Sequence, residues 1–288
     1  MKAQFDMPRN VANALETAGV SAAVSWQQRR DQLRAYAKLN PPRPIGAEEI
    51  EVHFETMPAH YWERVTESDV LWGLEVIHGF LKLIASPHVP STAPFVSWRR
   101  NAAPERTRVM ICTWDRHGLL AKAAAAFSAV SLNIVQADVF TRADSIVLDE
   151  FAVTNGDRQS GVSETRLQEM AFLLEGALSE PPRFASVWAC SRHKYLARAS
   201  VVAPRIYFDN DTSSDRTLVN VEAADRLGLL YDILQAIADS GLNIKQARIE
   251  TEGPLARDVI HVTDQRGEKL FDPCQIEAVR ARLRAALG

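Results

Sequence analysis

Along the N-terminal part of the chain, apolar side chains recur at helical spacing. Between Val11 and Leu39 they fall at Val11, Ala14, Leu15, Ala18, Ala22, Trp26, Leu33 and Tyr36. The steps mix three and four, which predicts an amphipathic helix with Gly19 as its weak point. The prolines of Asn40–Gly46 (NPPRPIG) end it, because each lacks an amide donor and restricts the residue before it. A second helical region is predicted over Phe54–Ile84. Pro58 suits a first turn there, and Thr66, Ser68 or Asp69 suits a cap. A proline-marked connector, Ser86–Pro94 (SPHVPSTAP), follows. Beyond it the period changes, and β-rich runs such as Arg108–Thr113 (RVMICT) alternate with helical stretches.

The alternation is duplicated. Asp115–Thr141 (DRHGLLAKAAAAFSAVSLNIVQADVFT) and Asp225–Thr251 (DRLGLLYDILQAIADSGLNIKQARIET) agree at 12 of 27 positions at an offset of 110. With a one-residue gap, Asp149, Phe151, Val153 and Thr154 then fall opposite Asp258, Ile260, Val262 and Thr263. Each copy predicts a strand (Arg108–Thr113; Thr217–Ala223), a helix (Leu119–Val130; Leu229–Ser240), two more strands (Asn133–Thr141 and Ile146–Thr154; Asn243–Thr251 and Arg257–Thr263) and a closing helix (Ser163–Leu178; Pro273–Ala286). A last strand is predicted at Arg183–Cys190 in the first copy. The expected fold class is α+β: helical residues 1–90, then units at 91–200 and 201–288, with helices returned to one face of a sheet. The helix stripes Leu120, Ala123, Ala124, Phe127 and Leu230, Ile233, Leu234, Ile237 are the expected core.

The polar positions shared by the copies are candidate chemistry. Asp115 and Asp225 precede a helix start, where an acceptor can bind unpaired amides. Gly118 and Gly228 permit close backbone approach. The amides of Leu119, Leu120, Leu229 and Leu230 lie in a first turn, a place that favours a carboxylate. Asn133 and Asn243 open the next strand at the same end of the sheet and offer both a donor and an acceptor. Together they would clamp a zwitterion, the helix amides on the carboxylate and Asp and Asn on the ammonium. The same residues also have ordinary uses as caps and turns.

Composition narrows the alternatives. The net charge is −3, so no global basic field invites nucleic acid or an anionic membrane. No apolar run is long enough for a membrane-spanning helix, and MKAQFDMPRN lacks the apolar core of a secretory signal. Cys112, Cys190 and Cys274 are widely spaced, so neither a disulfide framework nor a zinc site is expected, and a reduced, cytoplasmic setting follows. The seven histidines lack ligand spacing, so no metal or cofactor is expected.

The motifs DRHGLL…LNIVQADVFT and DRLGLL…LNIKQARIET resemble ACT domains, and over roughly Glu51–Gly288 the chain resembles the C-terminal region of bifunctional uridylyltransferase/uridylyl-removing enzymes. The resemblance implies tandem βαββαβ (ferredoxin-like) ACT units after a helical region. It also implies a non-catalytic regulator of nitrogen control binding a small amino acid such as glutamine, and a homodimer or partner enzyme. The implied ligand-binding residues are Asp115, His117, Gly118, Leu119, Asn133 and Ile134 with Asp225, Leu227, Gly228, Leu229, Leu230, Asn243 and Ile244. Two units pairing edge to edge would hold the ligand between loops of one and strand starts of the other. His117 and Leu227 stand where such sequences often carry proline. The Gly-Ser with paired Asp needed for nucleotidyl transfer is missing, and so is the His/His-Asp cluster of a metal phosphohydrolase. Asp209–Asp211 (DND) reads as a turn. An oligomerisation or docking module with Trp62, Trp72 and Phe80 as its contact surface is the alternative expectation, and residual uridylyl transfer the weakest.

Overall fold

A computed structural model of the chain describes residues 25–100, 105–156, 161–179, 203–252 and 254–288. The predicted helix before residue 25 and the predicted strand Arg183–Cys190 lie outside these. Four helices come first: α1 (Trp26–Leu39), α2 (Ala47–Thr56), α3 (Ala59–Arg64) and α4 (Glu67–Ile84). Ser25 caps α1 in a reciprocal pair with Gln28, and Pro58 stands at the cap of α3 rather than inside its first turn. Thr66 caps α4. Its amide donates to Asp69 Oδ2 at 2.8 Å, and the Asp69 amide donates to Thr66 Oγ1 at 3.4 Å. Thr66→Ala is expected to lower stability by about 1 kcal/mol, seen as a lower urea midpoint that serine at this position restores.

The helices share one aromatic core. Trp62 stacks on Phe54 with centroids 4.5 Å apart, and Tyr61 meets Trp62 edge-on at 4.8 Å. Trp62, Trp72 and Phe80 are at most 1% exposed, so the expectation that they form a contact surface is corrected: they are the interior of the helical region.

The remainder forms one eight-stranded sheet among the described residues, ordered β1-β2-β4-β3-β7-β8-β6-β5. The first unit supplies β1 (Phe95–Arg100), β2 (Thr107–Trp114), α5 (Leu119–Ala129), β3 (Leu132–Asp138), β4 (Ile146–Asn155) and α6 (Glu164–Ser179). The second supplies β5 (Arg205–Asp209), β6 (Thr217–Ala224), α7 (Leu229–Asp239), β7 (Asn243–Glu252), β8 (Leu255–Thr263) and α8 (Pro273–Leu287). Every strand pair is antiparallel. The two outermost strands, β1 and β5, precede their repeats and were not read from the pattern. The predicted strand Asn133–Thr141 stops at Asp138 and regains pairing only through a bridge from Thr141 to Val147. DND is a turn, with Asp209 Oδ1 accepting from the Asp211 and Thr212 amides at 2.7 and 3.0 Å.

Two strands from equivalent places form the seam between the units: Gln136, Ala137 and Asp138 of β3 face Glu250, Ile249 and Arg248 of β7. The units are thereby related by a pseudo-two-fold axis. Each seam strand carries a register shift, between Ile134 and Gln136 and between Ile244 and Gln246. The residue inside the shift is Val135 in one copy and Lys245 in the other. The four long helices of the units cover one sheet face with a continuous apolar core.

The opposite face explains where the N-terminal helices go. On the first unit it carries Met110, Cys112, Ile146 and Leu148, all buried within the helical region's core. At the equivalent positions the second unit has Asn220, Glu222, Leu255 and Arg257. Only the first copy offers an apolar back, and α4 lies against it closely. A Cβ at Gly73 would meet Leu148 Cδ2 at 3.1 Å and Tyr61 Oη at 3.0 Å. Arg108 fastens the junction, sitting 2.6 Å from Asp69 Oδ1 and 2.6 Å from Glu150 Oε1. No helix of the described residues is long and apolar enough to cross a membrane.

Candidate functional site

The mouths of α5 and α7 are built alike. Gly118 and Gly228 are the cap residues, with φ of 73° and 79°, a left-handed backbone that a side chain strains. Neither helix has a side-chain cap. Asp115 and Asp225 stand three residues before these caps. Their own amides are fixed in the preceding loop, donating to Ser145 O and Pro254 O at 2.8 Å each. The amides of Leu119 and Leu229 are not open either, since they donate to Arg116 O and Arg226 O at 3.1 Å. In the first unit the next amides, of Leu120 and Ala121, have no backbone acceptor among the described residues. Those are the donors left facing outward.

The arginine of each Asp-Arg pair has a structural task. Arg116 donates to Leu178 O at 3.0 Å, near the C-terminal end of α6. Arg226 donates to Ala286 O at 3.1 Å, near the end of α8, and pairs with Asp232 at 2.6 Å. A cation on the last carbonyls of a helix complements its dipole.

Each mouth opens into a cleft completed by the other unit. The first cleft, about 130 Å³, is lined by Asp115, His117, Gly118, Leu119 and Leu120 together with Asn243, Ile244 and Lys245 from across the seam. Val139, Thr141, Val147 and Asp149 also line it. The second is lined by the equivalent set, Asp225, Gly228, Leu229 and Leu230 with Asn133 and Ile134, but its volume is only about 10 Å³. Leu227, an expected member, is buried and lines neither cleft. His117 at the twin position is exposed and does line the first.

Two residues escaped the sequence reading as site members: Asp149 and Asp258. Each sits in a row of apolar residues facing the helices, among Val147, Phe151 and Val153 or Ala256, Ile260 and Val262. Each is 2% exposed. Burial holds the Asp149 carboxyl well above the usual carboxylate range, although it accepts the Phe140 amide at 3.3 Å. Burial pushes Asp258 up to about 8, and its Oδ1 has no hydrogen-bond partner. The available signal was an acid repeated at a period-two core position in both copies.

The first cleft brings hydrogen-bond donors and acceptors together. Asn243 spends its Nδ2 on Asp264 O at 3.1 Å, which leaves its Oδ1 as an acceptor. Asp149 contributes a second acceptor and the Leu120 and Ala121 amides contribute donors. Lys245, raised at the register shift, stands exposed at the rim. No group of three or more His, Cys, Asp or Glu side chains suited to a metal occurs among the described residues.

Residues 212–286 match the family described as "ACR family N-terminal ACT domain". Curated relatives are bifunctional uridylyltransferase/uridylyl-removing enzymes. That of Azospirillum brasilense is 34% identical over 188 residues, covering 63% of this chain and 20% of the enzyme. Those of Gluconobacter oxydans and Caulobacter vibrioides are 34% and 36% identical, with 64% and 62% of this chain and 20% and 19% of the enzyme covered. The chain thus spans about a fifth of the length of the relatives it matches, over an ACT-containing regulatory part and not the catalytic domains. The ACT match falls on the second unit, the first unit repeats its order of strands and helices, and the fold is α+β with the two units behind a helical region.

Proposed function

We propose that this chain is a regulatory protein, without catalysis of its own, that binds a small amino acid in the first cleft and reports it within nitrogen control. What carries the reading is that cleft: about 130 Å³, spanning the two units, and lined both by helix-mouth residues whose amides lack a backbone acceptor and by the acceptors Asp149 and Asn243. The ligand carboxylate meets the amides of Leu120 and Ala121, where the α5 dipole favours an anion. The ammonium meets Asp149 and Asn243 Oδ1, supplying the countercharge that Asp149 lacks when the cleft is empty. Lys245 then faces the ligand side chain, and the carbonyl of glutamine is a suitable acceptor for it. Because the ligand touches both units, it favours one arrangement of them over others, which is the physical content of regulation here. The implied listener is a catalytic partner in the cytoplasm.

Calorimetry and thermal-shift measurements against the twenty amino acids test this, with glutamine the expected best binder. Asn243→Ala and Asp149→Asn are each expected to weaken binding roughly 10- to 100-fold, the usual effect of losing a hydrogen bond to a charged group. Silence from all twenty in a folded sample overturns the reading.

A further inference from the structure

We infer that duplication has divided the labour of the two clefts: the first receives the ligand, while the second is a closed clasp that fastens one unit to the other. This rests on the proposed amino-acid site for what fills the first cleft, but the inequality itself is a matter of geometry. Asn133 is the second residue of β3 in the first unit, and Asp225 precedes α7 in the second. Asn133 Nδ2 donates to Asp225 Oδ2 at 3.2 Å, across the boundary between units. The twin asparagine does something else. Asn243 turns its Nδ2 to Asp264 O within its own unit, and Asp115 remains exposed.

The consequence is a difference in room. In the second cleft, about 10 Å³ holds at most a single water. Asn133 and Asp225, the pair expected to grip an ammonium, satisfy each other instead. Behind them Asp258, 2% exposed like its twin Asp149, lines the same closed space. The residue inside the register shift follows the same division. Lys245 overlooks the open cleft, whereas Val135 is buried and lines neither.

Two measurements decide it. The first needs no ligand: double-mutant cycles on urea midpoints for Asn133→Ala with Asp225→Ala, and for the twins Asn243→Ala with Asp115→Ala. The first pair is expected to be clearly non-additive, the double variant's midpoint falling less than the sum of the single shifts, and the twin pair additive. Equal coupling in both pairs, or coupling in the twin pair alone, overturns the inference. The second is calorimetric stoichiometry of the full chain with glutamine and with each other amino acid that gives a thermal shift. One ligand per chain is expected, and two equal sites overturn the division. If no amino acid binds, the functional proposal falls while the cycles still judge the clasp.

Discussion

Leu148→Arg is expected to detach the helical region from the sheet, at a cost of about 3–5 kcal/mol, the usual penalty for an unpaired charge in a core. Leu148 is 1% exposed, and its Cδ2 lies where a Cβ on Gly73 of α4 would press against it. Met110, Cys112, Ile146, Phe54 and Trp62 share its core, and the polar groups beside it at Gly73, the Tyr61 hydroxyl and the His53 ring, give a guanidinium no countercharge. The substitution is a natural one in this molecule, because the twin position holds Arg257, 53% exposed in its side chain. It tests whether a single row of side chains decides which unit the helices cover. The expected readouts are a lower urea midpoint, loss of the near-ultraviolet signal of Trp62 and Trp72, and rapid trypsin cleavage in the helical region. Arg257→Leu, the reverse exchange on the open face, is expected to leave the midpoint nearly unchanged. A Leu148→Arg protein with native midpoint and protease resistance would show that the helices are held by something other than this apolar face.

The second large effect is a fall in stability on the alkaline side of neutrality. An unfolded aspartate ionises near 3.9. Asp258 in the folded chain is pushed up to about 8 by burial, and Asp149 is raised for the same reason. Between those values the folded state keeps protons that the unfolded state has released, so stability declines as pH rises and levels off above about 8. His53 leans the other way. Burial among Phe54, Tyr61 and Trp62 pushes it down to about 3, so its contribution is complete above its ordinary 6.5 and is lost as pH falls. His60 and His261, lowered by burial, lean with His53, while Glu150, raised by burial, leans with the aspartates; from 6.5 to 8 Asp258 by itself accounts for about 2 kcal/mol of loss. Urea midpoints across this window are expected to fall in the parent chain and to fall less in Asp258→Asn. Parallel slopes would mean that this carboxyl is ionised in the folded protein.

The element order of the two units was legible because helix stripes and strand runs were written twice, and each copy corroborated the other. The edge strands β1 and β5 were not, since Phe95–Arg100 and Arg205–Asp209 are short, half-exposed, and lie outside the repeated stretch. The site was legible as a set of residues and as a pairing of loops with strand starts. Its asymmetry was not: Asn133 and Asn243 read identically, and only their different hydrogen bonds, to Asp225 and to Asp264, separate closed from open. Asp149 and Asp258 were visible as aligned acids, yet acids in a strand default to the solvent face. Placing them under the helices requires the register of β2 with β4 and β6 with β8. Leu227 was included by analogy with His117, but its burial takes it away from both clefts.

The strands that end the sheet carry a further meaning. β1 finishes in Arg99 and Arg100, and β5 begins with Arg205 and presents Tyr207, 55% exposed. An open strand edge is a template for another chain, and charged side chains along it are a common means of blunting it. A third unit annealing to either end would have to set its own backbone beside guanidinium groups and strip them of water. At the sheet ends formed by the described residues growth is thereby opposed, and concentrated solutions of this chain should stay clear rather than grow fibrils.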